Sequence, residues 1–553
     1  MDYSQVSPAV SLALAAQNHP ERQSIIYGSF KLTVSESQDL VKQISRAFQT
    51  LNLLPGARVA VVSRNSPYHL LVNLACDVLG LVFVPISYRL TAVELNELFE
   101  ICAPSVVLFD LETVAREDFS KIQSGSARFF IIADDVHHSP EECQAAISLG
   151  EKYGVQSFHS FFTELEKITS INSKEQTSNS EEQIELREST TAQVARSAAE
   201  IAALLFTSGS SGKPKAVGLT REQLWWGNQN FRQGFEYSNL DVLAVVAPLS
   251  HIGGYNGTTM DIFSHGGTVV LVREFLPKEL LQQLHEHKVS MMFAVPAVYN
   301  GLLQTGDFSR TFLPEFTKPL IGGAVAPVSL LEKLEAAGFL PINVWGMTET
   351  SASGACLSQD NAQNYRGSIG LPFLHNSIRV INPETLQEAE VDQETSRRRG
   401  ELLIRGASVI RNYWNNPEAD REGFYEGYLR TGDLVEIDSS GMLWVMGRLS
   451  NIINTAGVKV SAEEVIRVYL RHPLISDCCV VGIPDPHWGE SVALLAVLDS
   501  DRAVSPELSE MQDFARGTLA GYKIPRHLKY VESIPLNSNG KVDREAARQM
   551  FLA

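Results

Sequence analysis

Residues 202–220 read Ala-Ala-Leu-Leu-Phe-Thr-Ser-Gly-Ser-Ser-Gly-Lys-Pro-Lys-Ala-Val-Gly-Leu-Thr. The apolar run 202–206 has the length of a buried strand. After it, Gly209 and Gly212 let backbone N–H groups turn toward a polyphosphate. Thr207, Ser208, Ser210 and Ser211 add hydroxyl donors, and Lys213 and Lys215 add charge. The spacing is not that of a Walker A loop. Only two residues separate the glycines, and Lys213 precedes Pro214 rather than opening a helix. On its own the stretch reads equally as a phosphate-holding loop or as a flexible Gly/Ser connection.

Outward from this loop, the first 125 residues alternate helix and strand. Leu40, Val41, Ile44, Ala47, Phe48 and Leu51 fall at helical spacing, and strands are expected at 58–62, 82–86, 106–109 and 129–132. Short apolar strands alternating with helices imply a parallel sheet covered on both faces. From about 167 to 200 the composition turns to Ser, Thr, Asn, Gln and Glu, a polar insertion with no chemistry of its own. Strands resume at 242–247, 268–272, 291–295 and 320–321. Beyond Gly400, strands separated by Gly turns imply a β-rich subdomain, and the last hundred residues mix helices and strands. The expected fold class is α/β: a large N-terminal domain of parallel α/β sheets with a β-rich subdomain, and a small mobile α+β C-terminal domain. The division is expected as 1–448 and 449–553.

Composition narrows the function. A chain of 553 residues exceeds one hydrophobic core. Its net charge of -18 leaves no basic surplus for nucleic acid, so an ATP site here must carry its own local positive charge. Lys213, Lys215, Arg448 and Lys541 are the candidates. The six cysteines contain no Cys-x-x-Cys pair and read as reduced thiols. No basic N-terminal region and no apolar run of about 18 residues suggests a secretory signal or a membrane span, so a cytoplasmic place is expected.

Five further stretches line up behind the loop: Pro-Leu-Ser-His-Ile-Gly-Gly at 248–254, Val-Trp-Gly-Met-Thr-Glu-Thr at 344–350, Tyr-Leu-Arg-Thr-Gly-Asp at 428–433, Gly-Arg-Leu-Ser-Asn-Ile-Ile at 447–453, and Pro-Leu-Asn-Ser-Asn-Gly-Lys-Val-Asp-Arg at 535–544. In this order and over nearly the full length, the set resembles the adenylate-forming superfamily of acyl-CoA synthetases, peptide-synthetase adenylation domains and firefly luciferases. The resemblance implies ATP, Mg²⁺ and a carboxylic acid as reactants. The acid attacks the α-phosphate, giving acyl-AMP, and an acceptor then displaces AMP. Both steps build charge on oxygens, which fixed donors and cations stabilise.

Carried over motif by motif, the resemblance implies that Thr207, Ser208, Gly209, Ser210, Ser211, Gly212 and Lys213 hold the β- and γ-phosphates. Trp345 stacks on adenine where the family usually has Tyr, Thr348 touches the α-phosphate, and Glu349 binds Mg²⁺. Asp433 accepts the ribose hydroxyls with Arg448 beside it, and Lys541 bridges the α-phosphate and the acid. His251 sits at the mouth of the acyl pocket or is a buried structural histidine. Gly322 to Ala324 and Gly346 to Ser353 line the acyl pocket, and Gly323 and Gly346 also border the nucleotide. Singly, Trp345 also reads as core, Glu349 as a helix-start carboxylate, Asp433 as a turn residue and Lys541 as a solvated lysine. Ser450 takes the hinge position where many members have Asp or Lys, and no lysine stands just before Gly457. These departures leave the acceptor open between CoA and an amine. No Asp at 250–256 is available to hold an α-ammonium, and no carrier domain is seen after Ala553, so neither an α-amino acid substrate nor a multimodular fragment is expected. The sequence reads as a ligase making an acyl-CoA. The alternatives are an ATP-dependent amide synthetase and an inactive nucleotide binder.

Overall fold

The structure is a computed structural model of the whole chain. It describes residues 6–552 apart from 117–120, 123–126, 133–138, 140, 146–147, 149–155, 158–196, 209–213, 456–457, 499–504 and 537–541. Two large sheets dominate. The first contains β3 (Arg58–Ser63), β4 (Val82–Ser87), β5 (Val106–Asp110), β6 (Arg128–Ile132), β7 (Gln156–Ser157), β8 (Ile201–Ser208) and β9 (Pro214–Thr220), in the order β7-β6-β5-β3-β4-β8-β9. Every pairing is parallel except the β8–β9 hairpin.

The second sheet contains β1 (Gln23–Tyr27), β2 (Phe30–Thr33), β10 (Val242–Val245), β11 (Thr268–Leu271), β12 (Met291–Ala294), β13 (Lys318–Gly322), β14 (Ile342–Trp345), β15 (Ala355–Leu357) and β16 (Leu371–Pro372). Their order is β16-β15-β14-β13-β12-β10-β11-β1-β2, parallel in the middle and antiparallel at both ends. The hairpin β1–β2 is an element the sequence pattern does not reveal. It joins the sheet built by later residues, Ile25 pairing with Val269, and Arg22 reaches the Gly266 carbonyl 244 positions along the chain.

Alternation along the strands explains why both sheets are covered on two faces. Val59 and Val61 of β3 enter one core while Ala60 and Val62 enter another. Val269 and Leu271 of β11 enter that first core too, while Val270 turns to a third. Period-two side chains thus make a shared core between the sheets and a separate one outside each. The shared core also takes Val41, Ile44 and Phe48 of the helix Val34–Thr50, from the helical spacing read in the sequence.

A smaller sheet of β17 (Asn376–Ile381), β18 (Arg398–Gly406), β19 (Phe424–Tyr425), β20 (Tyr428–Ile437) and β21 (Leu443–Arg448) is the β-rich subdomain. The small C-terminal domain is built on β22 (Ile452–Thr455), β23 (Val458–Ser461), β24 (Ile475–Asp485), β25 (Gly489–Leu498) and β26 (His527–Tyr530). Cys478 and Val480 pack with the helix Ala462–Tyr469 on one face of its sheet, and Cys479 and Val481 with Ala547 of the helix Arg544–Leu552 on the other. All six cysteines are free thiols. The polar insertion lies outside the described residues up to 196. Among the described residues no helix is long and apolar enough to cross a membrane.

Candidate active site

The motif stretch at 207–215 begins in the last residues of β8 and ends in the first residues of β9. Thr207 pairs with Lys215 and Ser208 with Pro214, so β8 and β9 bring both ends of the loop together. Thr207 is half-buried. Gly209, Ser210, Ser211, Gly212 and Lys213, like the side chain of Ser208, lie outside what is described. Thr220 ends β9 and caps the helix Arg221–Phe235 by accepting from the Gln223 N–H, with the Gln223 side chain reaching back. That Thr-x-x-Gln capping box is why strand passes directly into helix.

The stretch at 344–350 leaves β14 at its C-terminal end, where ligands of open α/β sheets bind. Gly346 is required by close packing, because a Cβ there would run into the Ala352 carbonyl. Thr348–Thr350 form one 3₁₀ turn, which leaves Thr348 half-buried and Glu349 buried. Gly323 follows the neighbouring strand β13 with φ +76°, a left-handed conformation that suits glycine.

Asp433 and Arg448 lie opposite each other in the β20–β21 register, and Arg448 Nε donates to Asp433 Oδ1 at 2.7 Å. The other carboxylate oxygen accepts from Trp345 Nε1 at 2.9 Å. Asp433 is 3% exposed, while the Arg448 side chain is about half exposed. Asp433 raises the Arg448 pKa above its ordinary value, chiefly by charge attraction. A carboxylate offers about four acceptor directions, so these two donors leave capacity for further hydroxyls. Trp345 itself is buried in the core of the β-rich subdomain, with its indole against Gly354. Its indole N–H fixes Asp433 from the core side.

Glu349 is joined to these residues through one that the sequence analysis missed. Tyr413 donates its phenol O–H to Glu349 Oε1 at 3.2 Å, and the Lys215 ammonium lies 5.4 Å from its ring centre. Burial, then the Glu349 charge, pushes the Tyr413 pKa up, keeping the phenol protonated and able to donate. Charge interactions link Arg448 to both Glu349 and Tyr413. The structure therefore gathers Lys215, Trp345, Glu349, Tyr413, Asp433 and Arg448 into one connected group.

His251 is half-buried at the residue before the short helix Ile252–Tyr255. Its loop is stapled between the sheets by Asn65, a second residue the sequence reading passed over. Asn65 accepts from the Leu249 N–H at 2.7 Å and donates to the carbonyls of Ala247 and Val272, both at 3.1 Å. Lys541 lies outside the described residues. Its flanks are tied within the C-terminal domain: Leu536 bridges Val542, and Arg544 donates to the Val480 carbonyl at 2.6 Å and Glu463 at 2.9 Å.

Among the described residues no three His, Cys, Asp or Glu side chains gather as a metal cage. The buried Glu349 carboxylate, with Tyr413 and Lys215 near it, fits Mg²⁺, which keeps waters and binds through one or two carboxylates plus substrate phosphates.

Known proteins share the sequence and the fold of this chain. The feruloyl-CoA synthase of an Amycolatopsis species is 25% identical over 97% of each chain. The mitochondrial malonate–CoA ligase of Homo sapiens is 32% identical over 63% of this chain and 66% of its own. Among solved structures, the o-succinylbenzoate CoA synthetase of Bacillus subtilis with its acyl-adenylate intermediate superposes with TM-score 0.76 at 24% identity over 97% of each chain. The same enzyme with ATP and a magnesium ion gives 0.75, covering 97% of this chain and 98% of that one. Residues 12–414 match the AMP-binding enzyme family and residues 464–541 the AMP-binding enzyme C-terminal domain. The chain belongs to the AMP-binding enzyme family, the adenylate-forming superfamily that its motifs resemble.

Proposed function

We propose that the protein activates a carboxylic acid with ATP as an acyl-AMP and passes the acyl group to CoA. The observation that carries this reading is the group of two buried carboxylates, Asp433 and Glu349, with Arg448 and Lys215, beside the Thr207–Lys215 hairpin pair. Asp433 takes the ribose hydroxyls while Arg448 and Trp345 hold it in place. The indole borders the adenine. Glu349 receives the metal that travels with the phosphates, Thr348 meets the α-phosphate, and the 207–213 loop with Lys213 holds the β- and γ-phosphates. Bound Mg²⁺ supplies charge neutralisation on the phosphate oxygens. Lys541 lowers the barrier to attack by holding the acid and the α-phosphate together; such a contact is worth roughly 4 kcal/mol at about 4 Å and an effective dielectric near 20.

CoA is favoured as the acceptor because the relatives are named as CoA synthetases and ligases. The division between the domains falls at the turn Leu449–Asn451, and His251 and Gly323 border the acyl pocket. The relatives include peroxisomal and mitochondrial enzymes, so a cytoplasmic place is a proposal to be checked by fractionation. The reading is tested by mass spectrometry of Mg²⁺·ATP reactions with a carboxylic-acid panel, run with CoA and, separately, with mixed amines. Acid-dependent thioesters are expected. Amides without thioester would move the protein to the amide synthetases, and acid-independent silence at the pyrophosphate step would remove it from catalysis.

A further inference from the structure

Residues 410–414 leave β18 toward the short helix Pro417–Gly423 and touch both halves of the site. The Ile410 N–H donates to the Glu349 carbonyl at 2.9 Å, and the Trp414 N–H donates to the Ala216 carbonyl of β9 at 3.0 Å. Between them Tyr413 donates its phenol to the Glu349 carboxylate, and Lys215, the neighbour of Ala216, lies toward its ring. A cation near the face of an aromatic ring is attracted by its quadrupole.

Tyr413 is itself held on several sides. Its N–H donates to Asp420 Oδ1 at 2.6 Å. Its ring meets Phe424 at 66°, with centroids 6.2 Å apart. Gly423 leaves it room, since a Cβ there would stand 3.0 Å from the ring.

Glu349 profits from such a brace. It stands on a single three-residue turn, and a glutamate has three rotatable side-chain bonds whose ordering costs free energy. A hydrogen bond to an ionised carboxylate stabilises more than a neutral one, and the 3.2 Å contact of Tyr413 with Glu349 lies at the long end of the hydrogen-bond range. We propose that Tyr413 is a positioning residue whose phenol holds the Glu349 carboxylate, and whose ring steadies the Lys215 ammonium, for Mg²⁺·ATP. This rests on the reading above that Glu349 faces the metal and phosphates of ATP. AMP, which lacks the β- and γ-phosphates, does not draw on the brace.

The test is calorimetric binding of Mg²⁺·ATP, and of AMP without metal, to the full-length protein and to Tyr413→Phe. This substitution keeps the ring contacts and removes only the hydroxyl. The Mg²⁺·ATP dissociation constant should rise about tenfold, as for the loss of one hydrogen bond to a charged group, with the AMP constant unchanged. Placed on Glu349→Ala, the same substitution should cost nothing further, because the hydroxyl acts through the carboxylate. Equal weakening of AMP and Mg²⁺·ATP, a full tenfold loss in both backgrounds, or no change at all overturns the proposal. A wild-type protein that binds no Mg²⁺·ATP removes the proposed function as well. Normal wild-type binding with an unaltered Phe variant removes only the role of Tyr413.

Discussion

Asp433 and Arg448 face each other across a strand pair, so their 2.7 Å contact follows from the β20–β21 register. Glu349 sits on a turn and meets a tyrosine 64 positions away. The first arrangement is set by strand register, with Arg448 and Trp345 fixing the carboxylate from two sides. The second depends on a brace that the strands do not supply. The nucleoside end of the site should therefore be robust and the phosphate end sensitive to small changes in distant packing. Electrostatic catalysis rewards the groups that need no reorganisation when charge develops.

Breaking the phosphate end should give the largest effect. Lys541→Ala should cut adenylate formation by at least roughly 10²-fold, as for one preorganised charge stabiliser, while transfer from supplied acyl-AMP falls far less. Pyrophosphate exchange and acyl transfer measured side by side check this, and an equal loss in both would break the assignment of Lys541 to the adenylation step. At the nucleoside end, Asp433→Ala should weaken AMP binding roughly 10- to 100-fold. It deletes a charged acceptor and leaves the buried Trp345 indole N–H unpaired, at about 1.5–3 kcal/mol. Arg448→Lys should cost less, at most about fivefold in AMP affinity by titration, since it keeps the charge beside Asp433 and gives up no more than about one hydrogen bond, ~1 kcal/mol. Deleting residues 170–190 should leave adenylation near wild type in the exchange assay. A large loss there would show that the polar insertion shapes the site.

The two ends also differ in how they could be read from sequence. Strands at 58–62, 82–86 and 242–247 announce themselves through local apolar runs, and the structure places β3, β4 and β10 there. Asp433 and Arg448 were legible because each lies in a stretch of distinctive residues. Tyr413 was not, for Arg-Asn-Tyr-Trp looks like any packed aromatic turn. Its role arises only when β9, the 348–350 turn and the 410–414 segment meet. Asn65 escaped for the same reason, since its partners lie about 180–207 positions ahead. For Trp345, pattern alone could not separate core from platform, because an indole can be buried on its ring and polar at its N–H.

The membership of β1 in the second sheet bears on how the chain is made. Ribosomes add roughly 5–20 residues per second, so a strand whose partner is encoded 244 positions later waits about 12–50 s for it. During that time Ile25, fully buried at the end, has no β11 to cover it. The N-terminal hairpin is therefore open to holdase chaperones until β11 emerges, and it docks while β12 to β16 of its own sheet are still to be translated.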